Sequence, residues 1–258
     1  MKFAKYQGAG NDFIIVSDHD TDSVSNAAKR LCRRRYGVGA DGVILVRCQA
    51  KSQATITCFN PDGSVAEMCG NGLRCASQFL IDRGCQDKKL LIDIGEKRYF
   101  VLVEGRDLVV DMGAVSILEE GILDGISYIQ VDSGTPHLVH FCEEIQSQSF
   151  ARVARHLRFH KRFDPVGVNV NFVRVLSSQL LEVRTYEKGV EGETLSCGTG
   201  ATAACVAAWR KYGIQGEMQV KFCSGERLAC DLLEKGGALW KVNMRGQAVC
   251  VYRGEWKG

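Results

Sequence analysis

The chain has only three prolines in 258 residues, no large excess of either charge sign, and no Cys-x-x-Cys pair among its twelve cysteines. Scarce proline beside 45% hydrophobic and 24% charged residues describes a compact globular chain with room for a sizeable core. A net charge of +3 is too small to point to nucleic acid or to an anionic membrane as partner. No apolar stretch approaches the ~20 residues that span a bilayer. The start, Met1-Lys2-Phe3-Ala4-Lys5-Tyr6-Gln7, holds no apolar signal core, so a cytoplasmic protein is expected. In that reducing compartment twelve cysteines do not make a disulfide framework. Without Cys-x-x-Cys, a zinc ribbon or thioredoxin-like site is also disfavoured. Most of the cysteines should be small buried hydrophobes. The Arg33-Arg34-Arg35 cluster reads as the solvated face of a helix.

What the chain does have is an internal repeat. Cys69-Gly70-Asn71-Gly72 returns half a chain later as Cys197-Gly198-Thr199-Gly200. Gly10-Asn11-Asp12-Phe13 matches Gly134-Thr135-Pro136-His137, and an Arg-rich helical segment at 25–36 matches one at 149–160. Strands following Gly37 and Gly167, and the alternating runs 56–60 and 183–187, complete the series in the same order. Ordinary Gly-rich turns in similar places could produce one such match, but five in the same order point to duplication. The expected fold class is α+β: two pseudo-symmetric domains, each a curved β-sheet or barrel wrapped around a central α-helix. The boundaries expected are 1–114, joined by 246–258, for the half carrying Cys69, and 115–245 for the half carrying Cys197. The helix after Cys197 is apolar almost all round from Ala201 to Trp209, so it should be buried on every side, with Gly213 as its C-terminal cap.

Both cysteines precede a Gly-x-Gly turn that opens a helix. The first N–H groups of a helix are unpaired and carry the positive end of its dipole, which lowers the pKa of a thiol placed there. The glycines let a carboxylate approach the same N–H groups. Two such halves facing each other would set two thiols on opposite sides of one carbon. Inverting a stereocentre through a carbanion needs that arrangement, a base on one face and an acid on the other. Cys75, Cys205, Cys223, Cys230 and Cys250 lack the turn and keep a core reading.

With those residues in place, the chain resembles the diaminopimelate epimerases over essentially its whole length. The resemblance rests on Gly8-Ala9-Gly10-Asn11-Asp12-Phe13, Asn60-Pro61-Asp62-Gly63-Ser64, Met68 to Cys75, Gly167 to Phe172, and Tyr186 to Gly200. It implies a cofactor-independent isomerase that interconverts LL- and meso-diaminopimelate for lysine and peptidoglycan precursors. In the LL-to-meso direction Cys69 would donate a proton and Cys197 accept one. Gly70, Asn71, Gly198 and Thr199 would bind the α-carboxylate through helix N-termini. Asn11, Asn60 and Asn169 would hold the far end of the substrate, with Glu187 and Lys188 beside them. His137 and Glu187 would orient the thiols. No metal and no cofactor are implied; the partner is a small amino acid, and a homodimer is compatible with this reading.

Some positions depart from the family pattern. Thr135 stands where Asn is usual, Lys188 where Arg is usual, and Gly42 where many members have Gln. One residue also appears inserted between Glu187 and Cys197. Lys in place of Arg exchanges a planar, bidentate clamp for a flexible point charge. These changes lie toward the distal end of the substrate and so bear on specificity, implying slow processing of other acidic amino acids. The competing readings are a related racemase of glutamate or proline type and a non-catalytic anion-binding protein. A zinc protein is more distant, and no Gly-Lys-Ser/Thr follows either cysteine to make a nucleotide site. Two thiols at one carbon also imply inactivation by oxidation through a Cys69–Cys197 disulfide or a sulfenic acid.

Overall fold

The computed structural model describes residues 1–17, 19–66, 70–146, 148–235 and 238–257. In chain order the first elements are β1 (Lys2–Gly8), β2 (Asn11–Ser17), α1 (Thr21–Cys32), β3 (Gly42–Ala50), β4 (Gln53–Phe59), α2 (Gly70–Asp82), β5 (Lys89–Ile94), β6 (Lys97–Glu104) and β7 (Asp107–Asp111). Then come β8 (Ser116–Leu123), β9 (Ile126–Asp132), β10 (Pro136–Phe141), α3 (Phe150–Arg158), β11 (Asn169–Ser177), β12 (Leu180–Glu187) and β13 (Gly192–Thr194). The last are α4 (Gly198–Tyr212), β14 (Gly216–Phe222), β15 (Arg227–Lys235), β16 (Ala238–Gly246) and β17 (Val249–Glu255). The chain divides into two compact units, Met1–Asp111 with Gly246–Gly258, and Met112–Arg245.

In the first unit β1 and β2 form an antiparallel hairpin, and α1 carries the chain to β3, parallel to β2 with Phe13 opposite Gly42. β4 returns antiparallel with Phe59 opposite Val43, and α2 leads to β5, parallel to β4 with Ile94 opposite Ile56. β6 and β7 follow as antiparallel neighbours, while β17 comes back from the far end of the chain to pair with β1.

The second unit repeats this plan. β9 and β10 are the hairpin, and α3 leads to β11, parallel to β10 with Asn169 opposite His137. β12 places Tyr186 opposite Val170, and α4 leads to β14, parallel to β12 with Phe222 opposite Val183. β15 and β16 follow, and β8 takes beside β9 the place that β17 holds beside β1. By register, Phe13 corresponds to His137, Gly42 to Asn169, Ile44 to Asn171 and Cys58 to Thr185. The duplication read from the sequence is therefore a duplication of topology and strand pairing.

Each unit has an outer and an inner helix. The outer α1 lays Val24, Ala28 and Leu31 on Ile14, Val16, Val43 and Leu45; the outer α3 lays Phe150, Ala154 and Leu157 on Val170 and Phe172. The inner α4 is buried without interruption from Gly198 to Ala208, and strands β9 to β12, β14 and β15 pack around it. Its glycines and alanines keep the helix narrow enough for strands to close on all sides, which an amphipathic helix cannot do. Gly213 ends it in the left-handed conformation, φ 67°, and donates its N–H to Trp209.

Three sequence expectations change here. α1 stops at Cys32, so Arg33–Arg35 lies beyond the helix instead of on its solvated face. Arg34 turns back to pair with Asp12 at 2.7 Å and Asp41 at 2.9 Å. Cys223 is exposed in the turn after β14 and Cys250 is half-buried on the outer strand β17, whereas Cys75, Cys205 and Cys230 are core residues.

Candidate active site

Cys197 is the N-cap of α4, with extended backbone at φ −137° and ψ 113°. Its Sγ accepts the Gly200 N–H at 3.3 Å, as a capping side chain does, and lies 3.4 Å from Thr199 Oγ1. The Glu187 carboxylate, at the end of β12, is within hydrogen-bonding reach of the thiol and itself accepts from Thr194 Oγ1 at 2.7 Å. The cysteine is 8% exposed.

These surroundings reverse one sequence expectation. Burial pushes the Cys197 thiol well above its ordinary pKa, and the nearby Glu187 charge adds to the rise. The hydroxyl of Thr199 and the N–H of Gly200 pull the other way without overcoming it. A helix N-terminus lowers a thiol pKa only where losing water does not cost more than the dipole returns. Here the sulfur is enclosed and faces a carboxylate, so the protonated form is favoured.

A buried polar chain stands behind this sulfur. His137, on β10, places Nε2 3.0 Å from Thr199 Oγ1 and Nδ1 2.9 Å from Asn171 Nδ2. Asn171 also donates to the Leu138 carbonyl at 3.2 Å and accepts from Thr185 Oγ1 at 2.9 Å. His137 and Asn171 are fully enclosed, and burial drives the imidazole down to about 3, so it is neutral at ordinary pH. His137 is thus a strand residue in a buried polar cluster. Asn169, two residues before Asn171 and on the same face of β11, accepts the Lys188 N–H at 2.8 Å. The Lys188 ammonium donates to the Val166 carbonyl at 3.3 Å. Ser133 donates to the Thr199 carbonyl at 2.9 Å and steadies the first turn of α4.

In the first unit, Cys69 lies outside the described residues. Gly70, Asn71 and Gly72 form the buried first turn of α2. Asn71 accepts from Arg74 at 2.5 Å and donates to Asn11 Oδ1 at 3.3 Å. Asn11 in turn donates to Asp41 Oδ2 at 2.7 Å, which ties it to the Asp12, Arg34 and Lys5 ion-pair group. Asn60 is exposed and bonded to Ser64 Oγ at 3.0 Å within its own turn. Gly42 is buried against Phe13, and a Cβ there would meet the Phe59 carbonyl at 2.8 Å. A glutamine at 42 would therefore require this backbone to shift.

The structure brings Cys197, Gly198, Thr199, Glu187, His137, Asn169 and Lys188 into one cluster, and Asn11 and Asn71 into another. Asn171, Thr185 and Thr194 belong to the first cluster but were missed in the sequence. Their signal was present as Asn169-Val170-Asn171: two asparagines on one face of an otherwise apolar strand must be bonded to something when buried. Two surface grooves on the second unit, of about 590 Å³ and about 410 Å³, contain none of the residues bonded to Cys197. Among the described residues, no three His, Cys, Asp or Glu are placed to hold a metal ion. Among them also, no helix is long and apolar enough to cross a membrane.

The fold of these two units is of a class shared by solved structures. A PhzF-family phenazine biosynthesis protein of Bacillus anthracis matches 99% of this chain and 98% of its own, with TM-score 0.77 at 13% identity. A hydroxyproline epimerase of Agrobacterium vitis matches 98% and 91%, with TM-score 0.73 at 12% identity. Within that class the sequence is specific. The diaminopimelate epimerase family pattern matches residues 3–118 and 129–251. A diaminopimelate epimerase of Aquifex aeolicus is 38% identical, over 98% of this chain and 97% of its own length. One of Methanocella arvoryzae is 34% identical, over 99% and 96%. The chain belongs to the diaminopimelate epimerase family and is an isomerase.

Proposed function

We propose that this protein interconverts LL- and meso-diaminopimelate without a cofactor, serving lysine and peptidoglycan precursor synthesis in the cytoplasm. The observation that carries the reading is Cys197 as the N-cap of a buried helix, its sulfur accepting the Gly200 N–H and lying within hydrogen-bonding reach of Thr199 Oγ1 and the Glu187 carboxylate. The resting thiol is protonated, and Glu187 takes its proton to leave a thiolate. The Thr199 hydroxyl and Gly200 N–H then hold the sulfur anion. In the LL-to-meso direction this thiolate removes the α-proton from one face, and Cys69 delivers its own proton to the other. Cys197 ends as thiol, Glu187 holds the proton it took, and Cys69 ends as thiolate; the reverse reaction restores all three. The α-carboxylate sits at the first turns of α2 and α4, where N–H groups without helical partners stabilise charge developing beside it. Asn11, Asn60 and Asn169 hold the distal end. With Thr135 and Lys188 in place of Asn and Arg there, distal recognition is looser, and glutamate and aspartate turn over slowly.

The test is to incubate reduced protein with LL-diaminopimelate in D2O, adding no pyridoxal phosphate, and to follow the α-proton by NMR. Formation of the meso isomer with deuterium uptake is expected, and is lost on changing Cys69 or Cys197 to Ala. No exchange and no isomer from folded, reduced protein would overturn the reading. Parallel incubations with glutamate, aspartate and proline then identify a related racemase. Strict rejection of the acidic pair removes the looser-recognition proposal alone.

A further inference from the structure

The two halves share a fold but differ in which interior strand positions are polar. At the positions where the second unit has His137, Asn171 and Thr185, the register of the first unit places Phe13, Ile44 and Cys58. A buried hydrogen-bonded chain therefore stands behind the Cys197 helix, where the repeat has apolar residues and a thiol. Buried polar groups are costly unless fully bonded, so the chain is not a neutral substitution for a packed core.

The donors in this chain can be assigned one by one. The Leu138 carbonyl can only accept, so the Asn171 atom 3.2 Å from it is the amide nitrogen. The Thr185 hydroxyl, 2.9 Å away, then donates to Asn171 Oδ1. The same amide nitrogen lies 2.9 Å from His137 Nδ1, which must accept. The neutral ring keeps its one hydrogen on Nε2, aimed at Thr199 Oγ1 3.0 Å away. Asn169 Nδ2 lies 3.4 Å from His137 Nε2 and 3.4 Å from the Pro136 carbonyl, and its oxygen is taken by the Lys188 N–H. The carbonyl receives its hydrogen, which leaves the nearer Thr199 Oγ1, at 3.0 Å, as the partner of the Nε2 hydrogen. Thr199, receiving at its oxygen, has its own hydrogen left for Cys197 Sγ at 3.4 Å. A hydroxyl that accepts one hydrogen bond is polarised into a better donor for the next.

We propose that Asn171 is a positioning residue for Cys197: it locks His137 as the Nε2–H tautomer, which turns Thr199 into a one-way donor to the sulfur. The inference deepens the two-thiol reading by giving Cys197 its own relay through Thr199. Gly200 is part of the device. A Cβ there would stand 2.5 Å from Asn171 Oδ1 and 3.0 Å from Thr185 Oγ1, so only glycine lets the carboxamide approach the helix.

Two substrate-free measurements test this. Nitrogen-15 NMR of histidine-labelled protein reads which His137 nitrogen carries the hydrogen; Nε2 is expected, and hydrogen on Nδ1 overturns the proposal. Iodoacetamide alkylation, followed peptide by peptide across pH, reads the Cys197 titration with Cys69 as internal control. Thr199→Val and Asn171→Leu should each raise the Cys197 midpoint by roughly one to two pH units, the worth of a hydrogen bond to a charged group. Thr199→Ser should keep it near the wild-type value, and Cys69 should not move. An unchanged midpoint in Thr199→Val, or equal shifts at both cysteines, overturns the relay. If Asn171→Leu does not fold, the wild-type tautomer and the Val and Ser variants at 199 decide alone. Absence of diaminopimelate turnover overturns the proposed function and leaves these readouts intact.

Discussion

At the scale of residues, the site combines groups whose ordinary chemistry is altered by enclosure. His137 is held neutral down to about pH 3 in the folded protein, whereas an unfolded imidazole takes a proton near 6.5. Below 6.5 the unfolded chain therefore binds the extra proton and the folded chain does not. The sign follows directly: stability is full above that pH and declines as pH falls toward 3, by about 1.4 kcal/mol per unit for one proton. Urea denaturation at pH 7, 6, 5 and 4 should show this slope for the wild type and a flatter one for His137→Gln. Equal slopes would place the acid sensitivity elsewhere. Gly200→Ala forces a methyl group against the Asn171 carboxamide. It should cost about 1–3 kcal/mol, as overpacking does, and lower kcat more than it raises KM. A Gly200→Ala enzyme with normal kcat would show that the carboxamide is free to move aside.

At the scale of elements, the inner and outer helices are stabilised by different means and should respond differently to substitution. α1 depends on its ends and one apolar stripe, and Asp20 caps it by accepting the Ser23 N–H at 2.7 Å. Asp20→Ala should cost about 1 kcal/mol and leave turnover unchanged, since its side chain caps α1 and is bonded to none of the candidate site residues. α4 has no exposed face over its first three turns, so Ala204→Leu has nowhere to place its added carbons. That change should cost about 1–3 kcal/mol and also disturb activity, because the helix carries Thr199 and Gly200 at its start. Chemical denaturation beside a turnover assay separates the two patterns. A harmless leucine at 204 would contradict the close packing around α4.

At the scale of the whole molecule, the first unit is assembled from both ends of the chain. β17 pairs along β1, the Met1 amino group donates to the Trp256 carbonyl at 2.7 Å, and Arg30 of α1 stacks over the Trp256 ring. Truncation after Arg245 should leave β1 as an unpaired edge, a state prone to aggregation. Limited proteolysis of that truncated chain should cut first within residues 1–111. If those residues resist protease as in the intact chain, β17 is dispensable to the unit.

The sequence by itself determined the duplication, the two helices that begin at Gly-x-Gly turns, the burial of α4 and the family. Each of these is written in local pattern: a repeated motif, a run of small apolar residues, a glycine after the last turn. Only the tertiary structure decided what burial does to the groups those patterns bring together. Composition cannot show that Arg34, just past α1, clamps Asp12 and Asp41, because one partner lies on β2 and the other in the bend before β3. Nor can it show that the thiol at a helix N-terminus is raised instead of lowered, because that sign depends on how completely the sheet and Glu187 enclose Cys197. Asn171 stands in the sequence as the second of two asparagines on one face of a largely apolar strand. Its bonds to Thr185 and His137 join β11 to β12 and β10, and those contacts exist only once the strands pair in register.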